Sequence, residues 1–296
     1  MITTKKKILI DTDLGDDVDD AAAVMMALHS AEFDIIGITT VFQNTEKRAE
    51  MVLELCEKCG RKDIPVYAGC AKPLIERPVY EENPIQYAIL EKKRQLDQSI
   101  SAVDFMIQSV RENPDITIVE MGAMTNLAMA FYKEPKVMEK AKIIAMGGIF
   151  TQSLPEWNME CDPEAARIVL DYAKNLTMFG LEVTKYCTLT EDMRQALYKK
   201  NEQMDYFFRG VKIFCDKTGY PVTLHDALLI AYLIEPDIVE LIQSDYTIEL
   251  AGKITRGGIA RTGNMYSIET EVNKEFYFAK SMKIEAFQRI VIDRIS

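Results

Sequence analysis

The sequence predicts an α/β fold: a mainly parallel central sheet flanked by helices, with extra helices and strands toward the C-terminal end. Two observations carry this reading. Short apolar runs alternate with helical patterns through the first half of the chain, the rhythm of a parallel sheet covered on both faces. Polar residues then cluster directly after those apolar runs, where the carboxyl ends of parallel strands gather a site.

Residues 7–12 (KILIDT) read as a buried strand, and 18–29 (VDDAAAVMMALH) as a helix with Ala and Met on its packed face. Residues 34–42 are a second strand, 45–59 a second helix ending at Gly60, and 65–69 a short third strand. A helix over 101–112 leads to the strand 116–121 (ITIVEM), and a helix from 125 to 133 to the strand 142–147. A helix over 163–174 and a strand over 176–181 complete the regular part. From Glu191 to Leu241 the pattern is helical; 246–251, 258–261 and 266–280 read as strands and 284–290 as a last helix. The stretch 72–100 is the least regular, a candidate mobile loop near a site or a surface excursion.

Nearly half of the 296 residues are apolar, enough for a sizeable core, and no linker, repeat or low-complexity tract divides the chain. A single domain over 1–296 is the expected organisation. The formal net charge of −11 speaks against nucleic acid as a partner, because phosphate backbones need clustered Lys and Arg. The N-terminus MITTKKKILI lacks a signal-peptide pattern, and no apolar stretch is long enough to span a membrane. A cytoplasmic protein with six free thiols is the simplest expectation. Cys56 and Cys59 form a single CxxC without further zinc ligands nearby and read as helix-end residues.

The chemistry concentrates in Ile10-Asp-Thr-Asp-Leu-Gly-Asp-Asp-Val-Asp-Asp20, six aspartates between a strand and a helix. Carboxylates so close repel one another unless a cation or hydrogen bonds offset the repulsion, and a hard divalent cation is the natural partner. Favourable charge at a helix N-terminus explains one or two of these aspartates, not six. An EF-hand counted from Asp11 fails, since its sixth and twelfth positions hold Asp16 and Ala22. A haloacid-dehalogenase-type phosphotransferase, with Asp11 as nucleophile and Mg2+, wants Thr or Val where Gly15 stands. The third pattern, DxDxG and a DD pair leading into an Ala-rich helix, fits Asp11, Asp13, Gly15, Asp19, Asp20 and Ala21.

Other polar residues fall at strand ends: Asn44 after the second strand, Thr125 and Asn126 after 116–121, and Glu156 and Asn158 after 142–147. Singly, each is an ordinary loop or helix-cap residue. The pair His225-Asp226 opens an apolar helix, where an acid can reach a cation and an imidazole can move protons near neutral pH.

With DTDLGDDVDDAAA, GITTVFQNT, GRKDIPVYAG, MGAMTNLAMAF, MGGIF, PEWNMECDPEAA, GLEVT and HDALLIAYLIEPD in this order, the chain resembles the inosine–uridine-preferring nucleoside hydrolase family over nearly its whole length. The resemblance implies a metal-dependent hydrolase of purine or pyrimidine salvage that cleaves the N-glycosidic bond of a ribosyl compound, and a homodimer or homotetramer. It implies one Ca2+ bound by Asp13, Asp20, the Thr125 carbonyl oxygen and Asp226, with Asp19, Asn44, Glu156 and Asn158 on the ribose hydroxyls. A water held by the metal would lose its proton to Asp13, His225 would face the leaving base as candidate acid, and Asp11 would support from behind.

The chain departs from the family pattern at several places. Leu14 replaces the usual Pro, and two extra residues precede Asp19–Asp20, which leaves Asp16 and Asp17 as rivals to Asp20 for the metal. The loop before Pro155 is short and lacks the usual 5′-hydroxyl Asn, for which Gln152 or Ser153 could substitute. Residues 72–100 lack a His-Gly segment, and Trp157 replaces a common Phe, to stack on a base or merely pack. These departures keep open a substrate other than inosine or uridine, and a ribose-binding protein of little catalytic power.

Overall fold

The computed structural model describes residues 5–75, 83–97, 99–262 and 275–296. The chain opens with β1 (Lys6–Thr12), α1 (Asp19–His29), β2 (Phe33–Thr40), α2 (Thr45–Lys58) and β3 (Val66–Ala68). There follow α3 (Ala102–Glu112), β4 (Thr117–Glu120), α4 (Thr125–Lys133), α5 (Pro135–Met138) and β5 (Lys142–Met146). Next come α6 (Trp157–Cys161), α7 (Pro163–Tyr172), β6 (Asn175–Phe179), α8 (Leu181–Thr184), α9 (Glu191–Leu197), α10 (Glu202–Thr218) and α11 (Ala227–Ile234). The chain ends with β7 (Val239–Gln243), β8 (Tyr246–Ile248), β9 (Ile259–Arg261), β10 (Glu275–Met282) and α12 (Ile284–Arg294).

Eight strands form one sheet in the order β3-β2-β1-β4-β5-β6-β10-β7, parallel throughout except for β7 against β10. The strand order reverses at β1, which lies between β2 and β4. An open parallel sheet has its crevice at the carboxyl ends of strands around such a switch point. Asp11 in β1 and Asp13 directly after it are there because β1 lies inside the sheet at this switch point.

Alternation along β1 ties the sheet to two cores. Ile8 and Ile10 pack with α1 and α11 on one face, and Leu9 with α3 and α4 on the other. All three are fully buried, as are Ala22 to Ala27 of α1, an all-apolar run of Ala, Val and Met. The N-terminus of this buried helix therefore delivers Asp19 and Asp20 to the interior rather than to solvent.

The sequence reading departs from the structure in the C-terminal third. The helical pattern expected through Leu241 ends at Ile234. Pro236 opens a 3-10 turn, and Val239–Gln243 becomes an edge strand that pairs with β10. The strand expected over 246–251 stops at Ile248, where the Glu249 carboxylate accepts the amides of Ala251 and Gly252 and turns the chain. Of the strand expected over 266–280, residues 266–274 lie outside the described residues. Among the described residues no helix is long and apolar enough to cross a membrane. All six cysteines are free, and Cys56 and Cys59 are buried beside the Gly60 turn that follows α2.

Candidate active site

At the carboxyl ends of β1, β4 and β5 a cavity of about 490 Å³ opens. One wall is acidic, formed by Asp13, Asp16, Asp17, Asp19, Asp20 and Asp226. Glu156, Trp157 and Asn158 form a second wall, and His225 stands with Phe214, Thr218 and Tyr220 in a third.

The acidic wall is held by the loop after β1. Gly15 turns the chain at φ +123°, a conformation that favours glycine, and a Cβ there would sit 2.7 Å from that of Pro84. Thr12 donates its hydroxyl to Asp20 Oδ1 and accepts the Leu14 amide, which fixes Asp20 toward the cavity. Asp19 Oδ1 accepts the amide of Asp20. Carboxyl oxygens of Asp19, Asp20 and Asp226 all lie within 4.8 Å of one another. Burial first, and then the charges of their neighbours, push Asp19, Asp20 and Asp226 well above the usual carboxylate range. Burial pushes Asp13 up to about 7 against the opposing pull of Arg48. Asp226 Oδ1 is buried with no hydrogen-bond partner among the described residues. Convergent carboxyl oxygens with an unsatisfied lone pair suit a hard divalent cation, so the residues fit the metal that the sequence suggests.

The rivals to Asp20 have other work. Asp16 accepts from Arg48 Nη2 at 2.6 Å and from the Ile85 amide, and Asp17 Oδ1 caps Val18. Arg48 went unnoticed in the sequence. It is fully buried, donates to the carbonyls of Phe42, Leu14 and Asp13, and clamps the loop from behind. The Gln86 amide donates to Gly15 O at 2.8 Å, and its side chain to Asp17 O. Part of the irregular stretch 72–100 is thus stitched onto the inserted residues, and Ile85 faces the cavity.

Glu156 begins α6 as its N-cap, accepting from the amides of Asn158, Met159 and Gly148. Asn158 donates through Nδ2 to the carbonyls of Met121 and Met146, so its Oδ1 is the atom left for a ligand. Trp157 is half-exposed at the cavity wall and packs edge-on against Phe42 at 6.4 Å. His225 is pushed down to about 4 by burial and is neutral at neutral pH; its Nδ1 lies 2.9 Å from Thr184 Oγ1.

Two residues expected in the site stand outside the cavity lining. Thr125 is buried in the first turn of α4 with its hydroxyl on Asp162, whereas Met121, at the end of β4, lines the cavity. Asn44 caps α2 through Oδ1. Asp11 is fully buried, accepting from Thr39 and Asn126. Burial, and then the Asp11 charge, pushes Glu120 well above the usual carboxylate range, and burial pushes Asp11 up to about 6; Asp11 Oδ2 and Glu120 Oε2 are buried with no hydrogen-bond partner among the described residues. A carboxylate enclosed in this way cannot attack a phosphate ester, so the phosphotransferase reading with Asp11 as nucleophile is corrected.

The family model for inosine-uridine preferring nucleoside hydrolases matches residues 8–289. The chain is 31% identical over 281 residues to the inosine-uridine preferring nucleoside hydrolase of Crithidia fasciculata, covering 85% of this chain and 86% of that protein. It is 32% identical over 255 residues to the pyrimidine-specific ribonucleoside hydrolase RihB of Escherichia coli, covering 79% of this chain and 80% of that protein. Among solved structures, a purine-preferring ribonucleoside hydrolase from Gardnerella vaginalis superposes with a TM-score of 0.85 at 27% identity, covering 98% of each chain.

Proposed function

The chain belongs to the inosine-uridine preferring nucleoside hydrolase family and is an N-glycosyl hydrolase, and we propose that it hydrolyses a ribonucleoside or related ribosyl compound to free base and ribose. The observation that carries the reading is one cavity that joins a carboxylate cluster, the polar side chains of Glu156 and Asn158, and a neutral histidine. In the same proposal the protein is a single domain over 1–296, acts in purine or pyrimidine salvage in the cytoplasm, and forms a homodimer or homotetramer.

Ca2+ is the proposed metal, with Asp13, Asp20 and Asp226 as its carboxylates and the Met121 carbonyl in place of that of Thr125. When bound, the ion supplies a hard Lewis acid that orients a water and the ribose diol. The remaining chemistry belongs to the side chains. N-glycoside cleavage passes through an oxocarbenium-like state, and positive charge on the sugar is stabilised by carboxylates already fixed around it. Asp19 and Glu156 supply that charge, and Asn158 Oδ1 accepts from a ribose hydroxyl. Asp13 accepts the proton of the attacking water. His225 stands at the leaving base and Trp157 beside it. Asp13→Ala tests the assignment: ribose release from nucleosides is expected to fall at least a hundredfold with the fold intact, whereas retained turnover defeats it.

A further inference from the structure

Resting on that reading, we infer that Thr184 is a positioning residue that fixes the tautomer of His225, so that Nε2 carries the proton and donates a hydrogen bond to the departing base. His225 Nδ1 lies 2.9 Å from Thr184 Oγ1, and Thr184 is fully buried. Among the described residues this hydroxyl makes no other hydrogen bond. Were Nδ1 protonated and donating, the buried hydroxyl proton would have no acceptor. With Oγ1–H donating to Nδ1, every proton is placed, and the ring proton must sit on Nε2.

The backbone holds the two residues in this relation. Thr184 ends the short turn of α8 directly after β6, with its amide on Gly180 O at 3.1 Å. The Leu224 amide donates to Cys187 O at 2.7 Å, the Leu189 amide to Val222 O at 3.0 Å, and Thr188 bridges Thr223. The segments that carry Thr184 and His225 are therefore zipped together immediately beside both residues.

In the reaction the C–N bond breaks and its electron pair leaves with the base. The growing negative charge accepts the hydrogen bond from Nε2–H, the ring keeps its proton, and solvent later protonates the released base. Leaving groups that are poor anions should depend on this bond, and activated ones should not.

The test uses the full chain labelled with 15N. Only two histidines are present, so His29→Gln assigns the spectrum. At neutral pH, His225 of the wild type is expected to show a pyridine-like Nδ1 and a pyrrole-like Nε2, retained in Thr184→Ser and lost in Thr184→Val. On a nucleoside, Thr184→Val should lower kcat about tenfold, the worth of one hydrogen bond, with KM nearly unchanged. Its rate on 4-nitrophenyl riboside should stay within about threefold of wild type, because that leaving group needs no donor. A protonated Nδ1 in the wild type overturns the inference, as does equal loss on both substrates. The spectrum requires no turnover, so it decides the tautomer even if the hydrolase reading fails.

Discussion

Replacing Arg48 with methionine tests the clamp behind the acidic loop. Methionine keeps an unbranched stem of similar bulk, so the perturbation is polar rather than a cavity. The guanidinium is fully buried and donates to the Phe42 carbonyl at 2.8 Å, the Leu14 carbonyl at 3.1 Å, the Asp13 carbonyl, and Asp16 at 2.6 Å. Each buried acceptor left unpaired costs about 1–3 kcal/mol. Asp16 is 28% exposed and recovers part of its loss from water. Such losses do not add fully, and removing one partner of a buried ion pair costs about 3–5 kcal/mol. Taking about 4 kcal/mol, and about 2 °C per kcal/mol for a chain of this size, the expected drop in Tm is about 8 °C. Thermal unfolding followed by circular dichroism reads it directly. Asp16→Asn, which leaves all three carbonyl contacts intact, should cost only about 1 kcal/mol. If Arg48→Met melts within 1–2 °C of wild type, or Asp16→Asn is the more damaging change, the clamp reasoning is wrong.

Three further outcomes follow from the same site. Asp11, Asp13 and Asp17 are raised from 3.8 to about 6, 7 and 6. A raised carboxylate favours the fold while it is protonated, so the metal-free protein should lose stability as pH rises from about 4 through 7, and calcium should restore it at pH 8; a metal-free Tm that climbs over this range would contradict the shifts. Gly15→Ala places a methyl against Pro84 in a left-handed turn, and should lower Tm and increase proteolysis near residues 83–86; unchanged cleavage there would dissociate the two segments. Trp157→Ala should raise KM for nucleosides several-fold if the indole meets the base, and an unchanged KM would make it a packing residue only.

What the sequence disclosed was whatever is local. The strand–acid–helix run from Ile8 to Ala27 shows itself because apolar periodicity and six aspartates are neighbours in the chain. Glu156 and Asn158 were legible for the same reason, lying together after a strand. Contacts made across long separations left no such trace. Arg48 meets Asp13 and Asp16 across more than thirty positions, and Thr184 meets His225 across 41. A backbone carbonyl has no side-chain signature at all, so the polar Thr125 drew attention in the sequence while the apolar Met121, which lines the cavity, did not. The strand Val239–Gln243 was hidden for a related reason: its identity depends on β10, a partner more than thirty residues later.

The most direct test of the account is the amount of free ribose released by the purified protein from a panel of purine and pyrimidine nucleosides, with calcium and after chelation. The account predicts ribose and free base in equal amounts, lost on chelation, restored by calcium, and absent in Asp13→Ala. Ribose release that survives both chelation and Asp13→Ala would contradict it, and so would nucleoside binding without turnover across the whole panel.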